Sequence, residues 1–88
     1  MDIQTALATL GSIGEDILTV TYDHSMTMPE ISYAQGLPDA LIVSELAELS
    51  TYELITCDDQ RYGPSELGCA VVSVLLEDQA RYAERIEG

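Results

Sequence analysis

Residues 27–49, TMPEISYAQGLPDALIVSELAEL, constrain the fold more than any other part of the chain. Thr27 is a helix-capping residue and Pro29 suits a first helical turn. Glu30 stands three places after the threonine, where its carboxylate can reach back to the cap. Gly36 supplies the left-handed residue that stops this short helix. Pro38 and Asp39 then open a second helix, in which Ile42, Leu46 and Leu49 recur at i, i+4 and i+7 and share one stripe facing a core. Two helices joined by a short Gly-containing turn make a helix-turn-helix. A chain of 88 residues has room for one core, so the pair must belong to a single domain spanning 1–88.

Ahead of this segment, Ile3, Ala6, Leu7 and Leu10 have helical spacing over 2–10 until Gly11 interrupts them. Ser12 is placed to cap the next helix, with Glu15 completing an S-x-x-E box and Ile13, Ile17, Leu18 and Tyr22 on one face. After Ser50 the period changes. ELITC reads as a strand, DDQ (58–60) as a turn and RYG (61–63) as a returning strand. Ser65 caps a last helix, 66–87, in which Leu67, Ala70, Val71, Val74, Leu75, Tyr82 and Ile86 continue an apolar stripe. Roughly 20 residues of helix span about 30 Å, more than a domain this small needs. The excess points to a homodimer through Val71, Leu75, Tyr82 and Ile86. Tyr22, Tyr33 and Tyr62 are expected to fill core space in a chain without Phe or Trp.

The fold class is therefore mainly α with a small β-hairpin: three helices, a two-stranded wing and a long C-terminal helix, preceded by the short 2–10 segment. The run TMPEISYAQGLPDALIVSELAEL, followed by YELITCDDQRYGPSELG, resembles the winged helix-turn-helix domain of the MarR, ArsR and PadR groups of prokaryotic regulators over residues 12–76. The resemblance implies a dimeric transcription factor that contacts DNA through its recognition helix, the third of the three, and through its wing. Carried over by position, the outward residues of that helix are Asp39, Ala40, Leu41, Val43, Ser44, Glu45 and Glu48, and the wing is Asp58, Asp59, Gln60 and Arg61.

The chemistry of those residues fits DNA poorly. Only Ser44 is a versatile partner for base edges; Ala40, Leu41 and Val43 can touch thymine methyls, and the acids repel phosphate. Duplex binding commonly draws on about six to ten phosphate contacts from Lys and Arg. This chain has 16 Asp and Glu, no lysine and three arginines, Arg61, Arg81 and Arg85, for a net charge of -13. The acids are spread from Asp2 to Glu87, so the charge belongs to the whole surface. Such a composition resembles that of extremely halophilic archaeal proteins, whose cytoplasm holds molar salt and shortens the Debye length to about 3 Å at 1 M. There, cations could bridge carboxylates to phosphates. An acidic protein of an ordinary organism and a mimic of nucleic acid share the same acidity. The alternative to DNA is a protein partner that meets Leu41 and Val43 within a rim of Asp39, Glu45 and Glu48.

Catalysis finds little support. His24 is the only histidine and falls in a loop, and no phosphate-binding loop, nucleophile motif or metal spacing occurs, so neither cofactor nor metal is expected. Cys57 and Cys69 are too few for a disulfide framework and read as reduced structural thiols. No apolar run approaches the roughly 20 residues of a membrane span, which points to the cytoplasm.

Overall fold

The structure, a computed structural model, describes residues 2–87, with side chains described as far as Asp78. In chain order the elements are α1 (Ile3–Thr9), α2 (Ser12–Asp23), β1 (Met26–Thr27), α3 (Met28–Gln35), α4 (Asp39–Thr51), β2 (Ile55–Asp58), β3 (Arg61–Pro64) and α5 (Glu66–Glu87). Each helix contributes to one core, α4 with its whole predicted stripe and α5 with Val72 besides the predicted Val71. Ala6 comes from α1, Ile17 and Leu18 from α2, Ile31 from α3, Ile42, Leu46 and Leu49 from α4, and Val71 and Val72 from α5, with Leu54 and Ile55 closing it beneath the hairpin. Burying a Leu, Ile or Val side chain fully contributes about 1.5–3 kcal/mol, so the stripes decide how the helices are rolled.

The capping signals are realised with one exception. At α3 the full reciprocal box forms: the Glu30 amide donates to Thr27 Oγ1 (3.4 Å) and the Thr27 amide donates to Glu30 Oε1 (3.0 Å), with the proline in the first turn. At α5, the Gly68 amide donates to Ser65 Oγ (3.1 Å), while the same hydroxyl donates to the Glu53 carbonyl (2.6 Å). The exception is α2. Gly11, extended at φ −86°, takes the cap position without a side-chain bond, and Ser12 is already helical. The break after α1 thus serves as the start of α2, and the expected Ser12–Glu15 box is not made. Asp2 caps α1 instead, accepting from the Thr5 amide at 2.8 Å.

The sheet holds one strand more than expected. Met26 and Thr27 run extended into the α3 cap and pair antiparallel with β3, giving the order β1-β3-β2. Two residues are too short to show a period, which is why this strand has no sequence signature. The hairpin itself is tight. Asp58 ends β2 opposite Arg61, and Asp59 and Gln60 turn the chain at φ 52° and 66°, the paired left-handed conformation of a type I′ turn.

The tyrosines depart from expectation. Tyr33 is 91% exposed and Tyr22 44%. On the eight-residue α3, Ile31 and Ser32 take the inward positions, so Tyr33 points out. On α2 the inward place one turn beyond Ile17 and Leu18 goes to Thr21, whose hydroxyl donates to the Ile17 carbonyl at 2.8 Å. Of the three tyrosines expected in the core only Tyr62 is half-buried, and burial together with the neighbouring Cys57 raises its hydroxyl pKa. Val71 is also reassigned: it is fully enclosed by this chain's own core, so it cannot form part of a subunit surface. Leu75 packs at the edge of that core. Tyr82 and Ile86 lie outside the residues whose side chains are described.

Candidate functional site

The turn between α3 and α4 fixes how α4 is presented. Gly36 sits at φ 65°; its amide donates to the Tyr33 and Ser32 carbonyls, and the Leu37 amide donates back to the Ser32 carbonyl at 3.3 Å. This is a Schellman closure. The Ser32 hydroxyl locks it from the other side by donating to the Leu37 carbonyl at 2.6 Å. Neither the burial of Ser32 nor this bond was signalled by the sequence, in which Ser32 is one small polar residue among several. At its far end α4 closes in the same way: the Leu54 amide donates to the Leu49 carbonyl at 2.9 Å, and the Glu53 amide donates to Ser50. Here the left-handed residue is Glu53, at φ 60°.

Between the Gly36 turn and the Glu53 closure, α4 turns Ile42, Leu46 and Leu49 to the core. At about 100° per residue, the line opposite that stripe runs through Ala40, Ser44 and Ala47, with Val43 on one shoulder and Leu41 and Glu48 on the other. Leu41 is 37% exposed and Val43 53%, so both are surface residues, as the register drawn from the sequence required. Asp39, Ala40, Ser44 and Glu48 are exposed as well. Glu45 is not. It is half-buried, and its Oε2 lies 3.8 Å from where a Cβ on Gly14 of α2 would stand, so it leans onto the helical body. Ala47, overlooked among the outward residues, is exposed at the middle of the face; its i+3 spacing from Ser44 and i+7 spacing from Ala40 could have revealed it.

The hairpin tip presents Asp58, Asp59 and Gln60 to solvent. Arg61 is otherwise engaged. Its Nη1 donates to the Ser25 carbonyl at 2.9 Å and stands 3.6 Å from Glu30 Oε1. The only basic side chain at the tip is thus drawn back against β1 and the start of α3. Glu30 gains from the arrangement: hydrogen bonds from Thr27 lower its carboxyl pKa below the ordinary range, with Arg61 and His24 adding a smaller pull.

Away from α4's outer face, a shallow groove of about 580 Å³ runs between the end of α4, β2 and the start of α5, lined by Ser50, Glu53, Ile55, Thr56, Ser65 and Leu67 among others. Among the described residues no cluster of His, Cys, Asp and Glu could hold a metal ion. Cys57 and Cys69 are free thiols. No helix among the described residues is long and apolar enough to cross a membrane.

No family model matches the sequence, and no curated protein matches it. Solved structures do. The chain is similar to MepR, a transcription regulator of the Staphylococcus aureus multidrug efflux pump MepA, with a TM-score of 0.81 and 17% identity over 97% of this chain and 69% of that one. It is also similar to a mutant of Lactococcus lactis ZitR in its apo form, with a TM-score of 0.69 and 21% identity over 97% of this chain and 67% of that one. The fold is a winged helix. In its terms α3 and α4 are the helix-turn-helix, and β2 and β3 form the wing.

Proposed function

We propose that the chain is a transcription regulator, a homodimer that presents α4 and the wing as its recognition surface in a cytoplasm rich in potassium. The observation that carries this reading is the placing of α4 directly after the Gly36 turn of α3, with Ala40, Leu41, Val43, Ser44, Ala47 and Glu48 of its outer face left exposed by the described residues. The likeness in fold to a transcription regulator supports the same reading.

Duplex DNA is the first partner to test. With Arg61 bonded to Ser25 and Glu30, phosphate contacts must come from potassium bridging Asp39, Glu48 and the wing aspartates, and from hydrogen bonds by Ser44. Binding should therefore rise as KCl increases from about 0.1 to 3 M, opposite to the fall expected of a lysine-rich domain. Absence of binding across that range, on random duplex and on the DNA flanking its own gene, would remove DNA from the reading.

The dimer is assigned to the second half of α5, where Tyr82 and Ile86 are spaced i, i+4. Tyr82→Asp combined with Ile86→Asp should give the monomer mass in light scattering, and an unchanged mass refutes the assignment.

A further inference from the structure

The outer face of α4 has a chemistry that narrows its partner. Two apolar side chains, Leu41 and Val43, remain 37% and 53% exposed on either side of a low strip formed by Ala40, Ser44 and Ala47. Exposed carboxylates stand near each end, Asp39 in the first turn and Glu48 toward the last. The wing tip adds Asp58 and Asp59, and its arginine is bonded inward. Against a DNA groove, Leu41 and Val43 find only thymine methyls, and the carboxylates meet phosphates of the same sign. Against a polypeptide, the same features are complementary: apolar shoulders to bury, a low strip to admit a side chain, and a rim that attracts cations.

We infer that this face docks a basic protein segment, one carrying lysine or arginine around an apolar anchor. The anchor lies over Ala40, Ser44 and Ala47 between Leu41 and Val43, and the cationic side chains reach Asp39, Glu48 and the wing aspartates. The inference rests on α4 being the recognition surface and names the partner of that surface. Attraction of opposite charge speeds the encounter, and the apolar contact holds the complex once salt has screened the charge.

The test uses a synthetic amphipathic helical peptide with leucines along one face and lysines on its flanks, compared with a peptide of the same charge in which serine replaces each leucine. At about 1 M KCl, where screening leaves little of the surface attraction, the leucine peptide should bind at least about tenfold more tightly than the serine peptide, as expected when an apolar anchor dominates. It should shift the amide resonances of α4 between Asp39 and Glu48. Leu41→Ser with Val43→Ser should abolish the difference between the peptides while leaving the circular dichroism spectrum unchanged, because both residues lie outside the core. Asp39→Asn with Glu48→Gln should weaken binding at low KCl and have little effect at 1 M. Equal binding of the two peptides, or resonance shifts scattered over the acidic surface, would overturn the inference. Duplex DNA that shifts α4 where the leucine peptide does not would also overturn it, yet leave the regulator reading intact. If neither probe shifts α4, both fall together.

Discussion

At Gly68 the backbone of α5 passes close against the Leu54 carbonyl, and Gly68→Ala tests that approach. A Cβ there would stand 2.1 Å from the Leu54 carbonyl oxygen, 3.2 Å from its carbon and 3.1 Å from Pro64 Cβ. Relief requires a shift of about 1 Å, since non-bonded carbon contacts favour about 3.5–4 Å. The obstacle is backbone that cannot swing aside. The Leu54 carbonyl accepts from the Ser65 amide at 3.1 Å, and the Leu54 amide is tied to Leu49 at 2.9 Å. On the other side, α5 is anchored by Val71 and Val72, both fully buried. Overpacking against a rigid wall costs about 1–3 kcal/mol, and loss of the Ser65–Leu54 bond adds about 1 kcal/mol. The better helix propensity of alanine returns about 1 kcal/mol. The net loss of about 1–3 kcal/mol corresponds to a fall in Tm of about 4–24 °C for a domain of this size. Thermal unfolding followed by circular dichroism in molar KCl would measure it. Gly14→Ala is the control, because it gains the same propensity but meets first the end of a side chain, Leu10 Cδ2 at 3.0 Å, which can turn away; its change should stay within about 1 kcal/mol. If Gly68→Ala is no less stable than Gly14→Ala, the close approach of α5 to the Leu54 carbonyl is wrong.

Other outcomes follow from the turns and from Glu30. Glu53 occupies a left-handed position at φ 60° and its side chain makes no hydrogen bond among the described residues, so Glu53→Gly should relieve strain of about 1–2 kcal/mol against a smaller entropic cost. A rise in Tm of a few degrees is expected, and a fall would refute the strain at Glu53. The carboxylate of Glu30 has its pKa lowered in the folded state, chiefly by the Thr27 bonds. Its stabilising contribution is therefore complete above the unfolded carboxylate range and fades as pH falls through the depressed folded value. The stability gap between wild type and Glu30→Gln, measured by urea unfolding at fixed KCl, should be widest near neutrality and close in acid. A gap that does not vary with pH would place Glu30 outside the capping box.

Much of this molecule can be read along the chain because its decisive signals are local. The Thr27–Glu30 box, the turn at Gly36, the Ser65 cap and the i, i+4, i+7 stripe of α4 each involve residues within one or two helical turns, and the outward register of Leu41 and Val43 follows from that stripe. Where a position depends on what lies across from it, the sequence gives no guide. Glu45 has the spacing of a surface residue but leans over Gly14 of α2, and Val71 has the spacing of an interface residue but enters the core. Tyr33 has the composition of a core residue but lies 91% exposed, because an eight-residue helix has only enough inward positions for Ile31 and Ser32.

The proposed recognition surface divides in the same way. Its acidity, its lack of lysine and its apolar residues were fixed by composition and period. That Arg61 is bonded back to Ser25 and Glu30 rather than extended from the wing was decided only by the tertiary structure, which brings together residues 36 positions apart. A guanidinium bonds to whichever acceptors the fold places within reach, and no local pattern records which those will be.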